Sequence, residues 1–212
     1  MEILNQTEVR VLGSLIEKEF TTPEYYPLTL NALVNACNQK SSREPVVSYD
    51  EQEVKEALSL LREKRLVRLV EDSGRAAKYR ETFKQELGLS QKETAVLCVL
   101  MLRGAQTAGE IKGRTGRIYN FTSLEETEEA LQALIDRPEG SLVTKLERQA
   151  GMKERRYSHL LSGAPETIEV SGEKQAAGME ERVMKLELET ENLKAEIEEL
   201  KSAFAQFKKQ FE

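Results

Sequence analysis

One pattern occurs twice in this chain, in the same order, and it limits the folds open to it more than any other feature. Ser48 and Glu51 have the S-x-x-E spacing of a capping box, in which the serine oxygen takes an orphan backbone N–H at a helix start. Val54, Ala57, Leu58 and Leu61 then fall at i, i+3, i+4 and i+7, a one-sided apolar stripe. The chain continues through Leu66-Val67-Arg68-Leu69-Val70, turns at Asp72-Ser73-Gly74 and returns through Ala77-Lys78-Tyr79. The second occurrence has Ser123 and Glu126 as the box and Thr127, Ala130, Leu131 and Leu134 as the stripe. Leu142-Val143 stands for Leu66-Val67, and Tyr157 closes the return as Tyr79 did. Upstream, Leu4, Gln6, Glu8, Val11, Leu12 and Leu15 match Leu89, Gln91, Glu93, Val96, Leu97 and Leu100. Internal periodicity of this kind means two copies of one structural unit.

Each copy reads as helix, helix, helix and β-hairpin, the order of a winged helix. The expected fold is mainly α with small β-hairpins (α+β), as winged-helix domains at 1–83 and 84–163. Helix one is expected over about Thr7–Glu19 and helix two over about Leu28–Gln39. Between helices two and three, Lys40 to Val47 has polar residues, two cations and a proline, which predicts an exposed, shaped loop. In the second copy Ser90-x-x-Glu93 and Thr107-x-x-Glu110 are the expected starts of helices one and two.

Residues 164–178 are rich in Gly, Ser, Ala and Glu and read as a linker. From 179 to 212 an apolar a/d seam alternates spacings of four and three. It includes Val183, Leu186, Leu193, Ile197, Leu200, Phe204 and Phe207. β-Branched residues at a with leucine at d favour a parallel two-stranded coil, hence a homodimer. The other reading is one amphipathic helix folded back on its own domains.

Charge is uneven along the chain. Residues 1–83 hold 12 basic and 14 acidic side chains, 84–163 hold 12 and 11, and 164–212 hold 7 and 12. Neither copy is basic as a whole, so a nucleic-acid surface has to be local. On helix three of the first copy Gln52, Lys55, Ser59 and Arg62 form a polar stripe without acids. Lys40 and Arg43 in the preceding loop, with Arg75 and Lys78 around the wing, are placed to neutralise phosphates. A merely solvated face is the alternative, since Glu53, Glu56 and Glu63 lie on the adjacent flank. Helix three of the second copy opens with Glu125, Glu126, Glu128 and Glu129 and is not a base reader. Its neighbours carry the cations instead: Lys112, Arg114 and Arg117 on helix two, and Lys153, Arg155 and Arg156 on the returning strand.

Other classes find little support. The chain holds one histidine, His159, no P-loop is present, and His and Cys are too few for a metal-ligand set. The expectation is a non-enzyme without cofactor or metal. Cys37 and Cys98 lie in apolar helical patterns and read as buried thiols. The longest apolar run, Ala95 to Leu102, is too short to span a bilayer, and the chain opens directly on a helix start, so a cytoplasmic location without a signal peptide is expected.

The stretch Thr21–Val47 (TTPEYYPLTLNALVNACNQKSSREPVV) resembles the YceH-type family of bacterial proteins. Leu102–Arg117 (LRGAQTAGEIKGRTGR) and Glu154–Gly163 (ERRYSHLLSG) are similar to two further signatures of that family. The resemblance covers residues 1–163 and implies a pair of winged-helix domains, without implying a mechanism. It directs attention to Asn38-Gln39-Lys40, Arg43-Glu44-Pro45, Arg114, Arg117, Arg155, Arg156 and Tyr157. The reading favoured here is a tandem winged-helix protein that binds double-stranded DNA as a regulator or architectural factor. A winged-helix scaffold that binds another protein is the alternative.

Overall fold

Asn5 starts the first helix. Its side chain accepts from the Glu8 N–H (2.9 Å) while the Glu8 carboxylate accepts from the Asn5 N–H (2.7 Å), satisfying two donors that the helix leaves open. In the computed structural model, which describes residues 2–70, 77–148, 152 and 154–164, this helix is α1 (Gln6–Thr21). The first repeat continues with β1 (Leu28–Thr29), α2 (Leu30–Cys37), α3 (Glu51–Glu63), β2 (Val67–Val70), β3 (Lys78–Glu81) and a short α4 (Phe83–Glu86). The second contains α5 (Gln91–Arg103), α6 (Ala108–Thr115), α7 (Leu124–Ile135), β4 (Val143–Lys145) and β5 (Tyr157–His159). The fold class is α+β. The heptad segment lies outside the described residues.

The repeat holds at the level of strand register. β2 and β3 pair antiparallel with Val67 opposite Glu81 and Leu69 opposite Tyr79. β4 and β5 reproduce this with Val143 opposite His159 and Lys145 opposite Tyr157. β1 adds a third strand to the first sheet, in the order β1-β3-β2, through Leu28 opposite Tyr79. In the second repeat the same contact survives as one bridge, Gln106 to Tyr157.

Three local expectations need correction. The helix expected from Leu28 begins at Leu30, because Leu28 and Thr29 are taken by the sheet and the Thr29 hydroxyl accepts the Ala32 N–H (3.3 Å). α3 is capped by Asp50 with Glu53, not by Ser48 with Glu51. Asn38 donates to the Tyr49 carbonyl (2.7 Å) and accepts its N–H (2.8 Å), which holds the chain extended one residue before Asp50. On α7, Ser123 does accept from the Glu126 N–H (3.1 Å), but the Glu126 carboxylate accepts from the N–H of Thr122 instead of closing the box on Ser123.

The α3 stripe lies in the core as the spacing predicts, with Val54, Ala57, Leu58 and Leu61 all buried. Each buried Val or Leu contributes about 1.5–3 kcal/mol relative to exposure. α1 is buried continuously from Glu8 to Ile16 and α5 from Thr94 to Leu102, the burial of helices enclosed on nearly every side. These two central helices meet at Gly13. A Cβ built there would lie 3.0 Å from Leu102 Cδ2 and 3.2 Å from Met101 Cβ, so the crossing has room for no more than a tightly held methyl. The Cys98 thiol donates to the Gly13 carbonyl (3.5 Å) at the same crossing, and both cysteines are free and buried. Core residues of both repeats form one continuous cluster. The Leu4 N–H donates to the Leu161 carbonyl (2.8 Å), joining the start of the first repeat to the end of the second. Among the described residues no helix is long and apolar enough to cross a membrane.

Candidate nucleic-acid interface

α3 turns its buried stripe inward and leaves Gln52, Lys55, Ser59 and Arg62 exposed on its outer side. The Gln52 amide is engaged by Glu56 of the next turn (Nε2 to Oε1 2.7 Å), which brings an acid onto the polar stripe. Lys55 and Arg62 have no hydrogen bond or ion pair within the described residues.

Past Arg62 the chain leaves the helix in a way that multiplies this charge. The Arg65 N–H donates to the Arg62 carbonyl (3.0 Å) and the Leu66 N–H to the Leu61 carbonyl (2.9 Å), the paired bonds of a Schellman cap. Arg65 occupies its left-handed position at φ 59°. Leu61 and Leu66, the positions whose apolar side chains accompany such a cap, are both buried. The turn delivers Arg62, Arg65 and Arg68 to one open groove of about 710 Å³ between α3, β2 and α4. Ser59, Glu63, Thr82, Gln85 and Glu86 also line it. Arg65 and Arg68, which sequence reasoning passed over, are exposed and without partner among the described residues. The available signal was a helix ending in Arg62-Glu63-Lys64-Arg65 with no glycine at its stop.

Arg43 does not belong to this surface. It was expected in an exposed loop, yet it is only 6% exposed, with its guanidinium on Glu17 (Nη2 to Oε2 2.6 Å) and donating to the carbonyls of Ala36 and Ser42. The loop folds back over its own cation because the carbonyls at the end of α2 need donors. Lys40, three residues earlier, is exposed. Lys78 is half-buried on β3, and Arg75 lies outside the described residues.

In the second repeat the cations are more committed. Arg156 donates to the Ala105 carbonyl (2.8 Å) and lies 3.8 Å from Glu110, which also pairs with Arg114 (3.6 Å). Lys112 donates to the Thr122 carbonyl (3.3 Å). Burial, and then the neighbouring Arg114, hold the Arg103 guanidinium below its usual range. Arg117 and Arg155 are exposed and unpaired among the described residues, while Lys153 lies outside them. On α7, Glu126 accepts from Lys92 (2.7 Å), Thr122 and Tyr119, and the Lys92 ammonium, foremost, pulls its carboxyl down to about 2. Glu125, Glu128 and Glu129 stay exposed on the same helix. Among the described residues no cluster of His, Cys, Asp and Glu is suited to a metal ion.

Comparison with known proteins places residues 4–152 in a family described as a protein of unknown function, DUF480. A UPF0502 protein of Solibacter usitatus is 50% identical over 99% of this chain and 98% of its own length. Another, from Pelobacter propionicus, is 50% identical over 99% of both chains. A third, from Geobacter sulfurreducens, is 47% identical over the full length of each.

Proposed function

The chain belongs to the DUF480 family of proteins of unknown function, and from that premise we propose that it is a DNA-binding protein of two winged helices in tandem, acting as a regulator or architectural factor and not as an enzyme. In a helix-turn-helix protein the recognition helix enters the major groove, and in a winged one the hairpin lies on the phosphates. α3 with β2 and β3 supplies that pair of elements in the first repeat, and α7 with β4 and β5 supplies it in the second.

One contrast carries the reading. Arg10, Arg43, Arg137 and Arg156 are spent on carbonyls and carboxylates of the protein itself. The side chains of Lys55, Arg62, Arg65 and Arg68, running from α3 into β2, are engaged by nothing among the described residues. Unpaired exposed cations on the third helix and on the turn and strand that follow it suit a phosphate backbone. The heptads at Val183, Leu186, Leu193, Ile197, Leu200, Phe204 and Phe207 support pairing through a coiled coil, which would offer DNA two copies of this surface. A scaffold that binds another protein is the second reading, favoured by the exposed Leu124 beside Glu125, Glu128 and Glu129 on α7.

The test is fluorescence anisotropy of a labelled random duplex with the full-length protein, titrated across salt. Binding that weakens with a log–log slope of several units, and that drops when Lys55 and Arg62 are changed to alanine, supports the proposal. No binding even at low salt overturns it in favour of the scaffold.

A further inference from the structure

We infer that the groove between α3, β2 and α4 is the seat of a DNA phosphate backbone, and that Arg65 is placed for that contact at the expense of the fold. The inference rests on the DNA-binding reading above and names residues that the recognition-helix argument alone leaves out.

The backbone is the first ground. A Schellman cap puts its C′ residue in the left-handed region, where glycine is the usual occupant because it has no Cβ to clash. Here that residue is an arginine at φ 59°, and Ser42 is the only other non-glycine with positive φ among the described residues. The cap needs only backbone bonds from Arg65 and Leu66 and the burial of Leu61 and Leu66. None of these uses the arginine side chain. A residue that strains the backbone and whose side chain bonds nothing among the described residues points to an external partner.

The second ground is the company it keeps. Arg62, Arg65 and Arg68 line the same groove, with Ser59, Thr82 and Gln85 supplying neutral polar groups. All three arginines are exposed, which suits an extended polyanion crossing the rim better than a small anion enclosed by the protein. A small anion filling the groove would also meet Glu63 and Glu86, whereas a strand along the arginine tips need not. Arginine is the side chain that grips phosphate with two parallel N–H bonds.

Arg65→Gly separates the two roles, since it relieves the backbone and deletes the guanidinium. In the full-length protein it should raise Tm by ~2 °C, because the left-handed strain is removed. In anisotropy titrations against a labelled random duplex it should lower the log–log salt slope by about 1, and Arg65→Gly with Arg68→Ala by about 2. If wild type binds and Arg65→Gly leaves the slope unchanged, this inference falls while the DNA reading stands. A lowered Tm also overturns it, since the arginine would then be serving the fold. If wild type binds no duplex at low salt, both fall together.

Discussion

Arg43 of the α2–α3 loop lies along Glu17 of α1 in a two-point ion pair, Nη2 to Oε2 at 2.6 Å and Nη1 to Oε1 at 3.1 Å. The same guanidinium donates to the carbonyls of Ala36 (2.9 Å) and Ser42 (2.9 Å). Beside it Arg10 donates to those of Cys37 (3.3 Å) and Pro45 (2.7 Å). Two buried cations thus hold one loop from beneath, and Arg10 is pushed below the usual guanidinium range by burial first and by Arg43 second. Glu17 is the anion that makes this tolerable.

Removing Arg43 takes the two-point partner from Glu17, which keeps only Lys18 at 3.8 Å among the described residues, and takes a buried donor from the carbonyls of Ala36 and Ser42. Arg43→Ala should therefore lose about 3 kcal/mol of stability, read as a lowered urea midpoint. Arg43→Lys should recover little of it, since an ammonium does not reproduce the two-point geometry. Duplex affinity per folded molecule should not change. A loss of affinity in fully folded Arg43→Ala would return this residue to the interface.

The cap of α3 gives a sharper comparison, because two candidate boxes overlap in Ser48-Tyr49-Asp50-Glu51-Gln52-Glu53. Asp50 accepts from the Glu53 N–H (2.8 Å) and Glu53 returns the bond. Asp50→Ala should lower stability by about 1 kcal/mol, while Ser48→Ala should stay within about 0.5 kcal/mol of wild type. Chemical denaturation of the two variants side by side decides it, and equal effects would refute the assignment.

Gly13 marks the crossing of α1 and α5, where an added Cβ would sit 3.1 Å from Leu102 Cγ and 3.2 Å from Met101 Cβ. Alanine gains about 1 kcal/mol of helix propensity, which offsets the crowding, so Gly13→Ala should be close to neutral. Gly13→Leu has no space and should destabilise by about 3 kcal/mol. Thermal melts that rank Gly13→Leu above Gly13→Ala would show that the two helices separate there without penalty.

What was legible in the sequence follows the range of the interaction. The α3 stripe and the capping residues Ser90 and Thr107 depend on neighbours three or four positions away, and they stand where the spacing puts them. The cap of α3 was misplaced because the choice between Ser48 and Asp50 is made by Asn38, on another element. Arg43 was misread for the same reason, since its partner Glu17 is on α1. Arg65 and Arg68 were overlooked because their importance comes from a turn that brings them beside Arg62, and residue type alone does not reveal it. The repeat, by contrast, carried long-range information within the sequence itself, and it extends to the pairing of Tyr79 and Tyr157 with their strands.

That register makes Glu81 and His159 equivalent positions, each opposite a buried valine, and their titrations run in opposite directions. Burial foremost, with the Glu19 carboxyl beside it and against the Lys84 N–H, raises Glu81 to about 7. Lys84 lies 2.7 Å from Glu19 and 3.5 Å from Glu81, Arg80 lies 4.0 Å from Glu19, and the Tyr26 hydroxyl accepts the Glu81 N–H. Burial alone lowers His159 to about 4, and its Nδ1 has no partner among the described residues. The folded state holds a proton on Glu81 that the unfolded chain has released, so this contribution is full below pH 4.5 and lost as pH rises to 7. His159 is neutral in the folded state where the unfolded chain is protonated, so its contribution is full above pH 6.5 and lost as pH falls towards 4. Each slope is about 1.4 kcal/mol per pH unit, with opposite sign. From pH 4.5 to 6.5 they cancel, and wild-type stability should be nearly flat. Glu125 and Glu126 are held below the carboxylate range and act at lower pH. Glu81→Gln should uncover a stability that climbs with pH across this window, and His159→Asn one that declines. The double variant should be flat again. Urea midpoints in a buffer series read all four profiles, and parallel profiles for the two single variants would exclude the compensation.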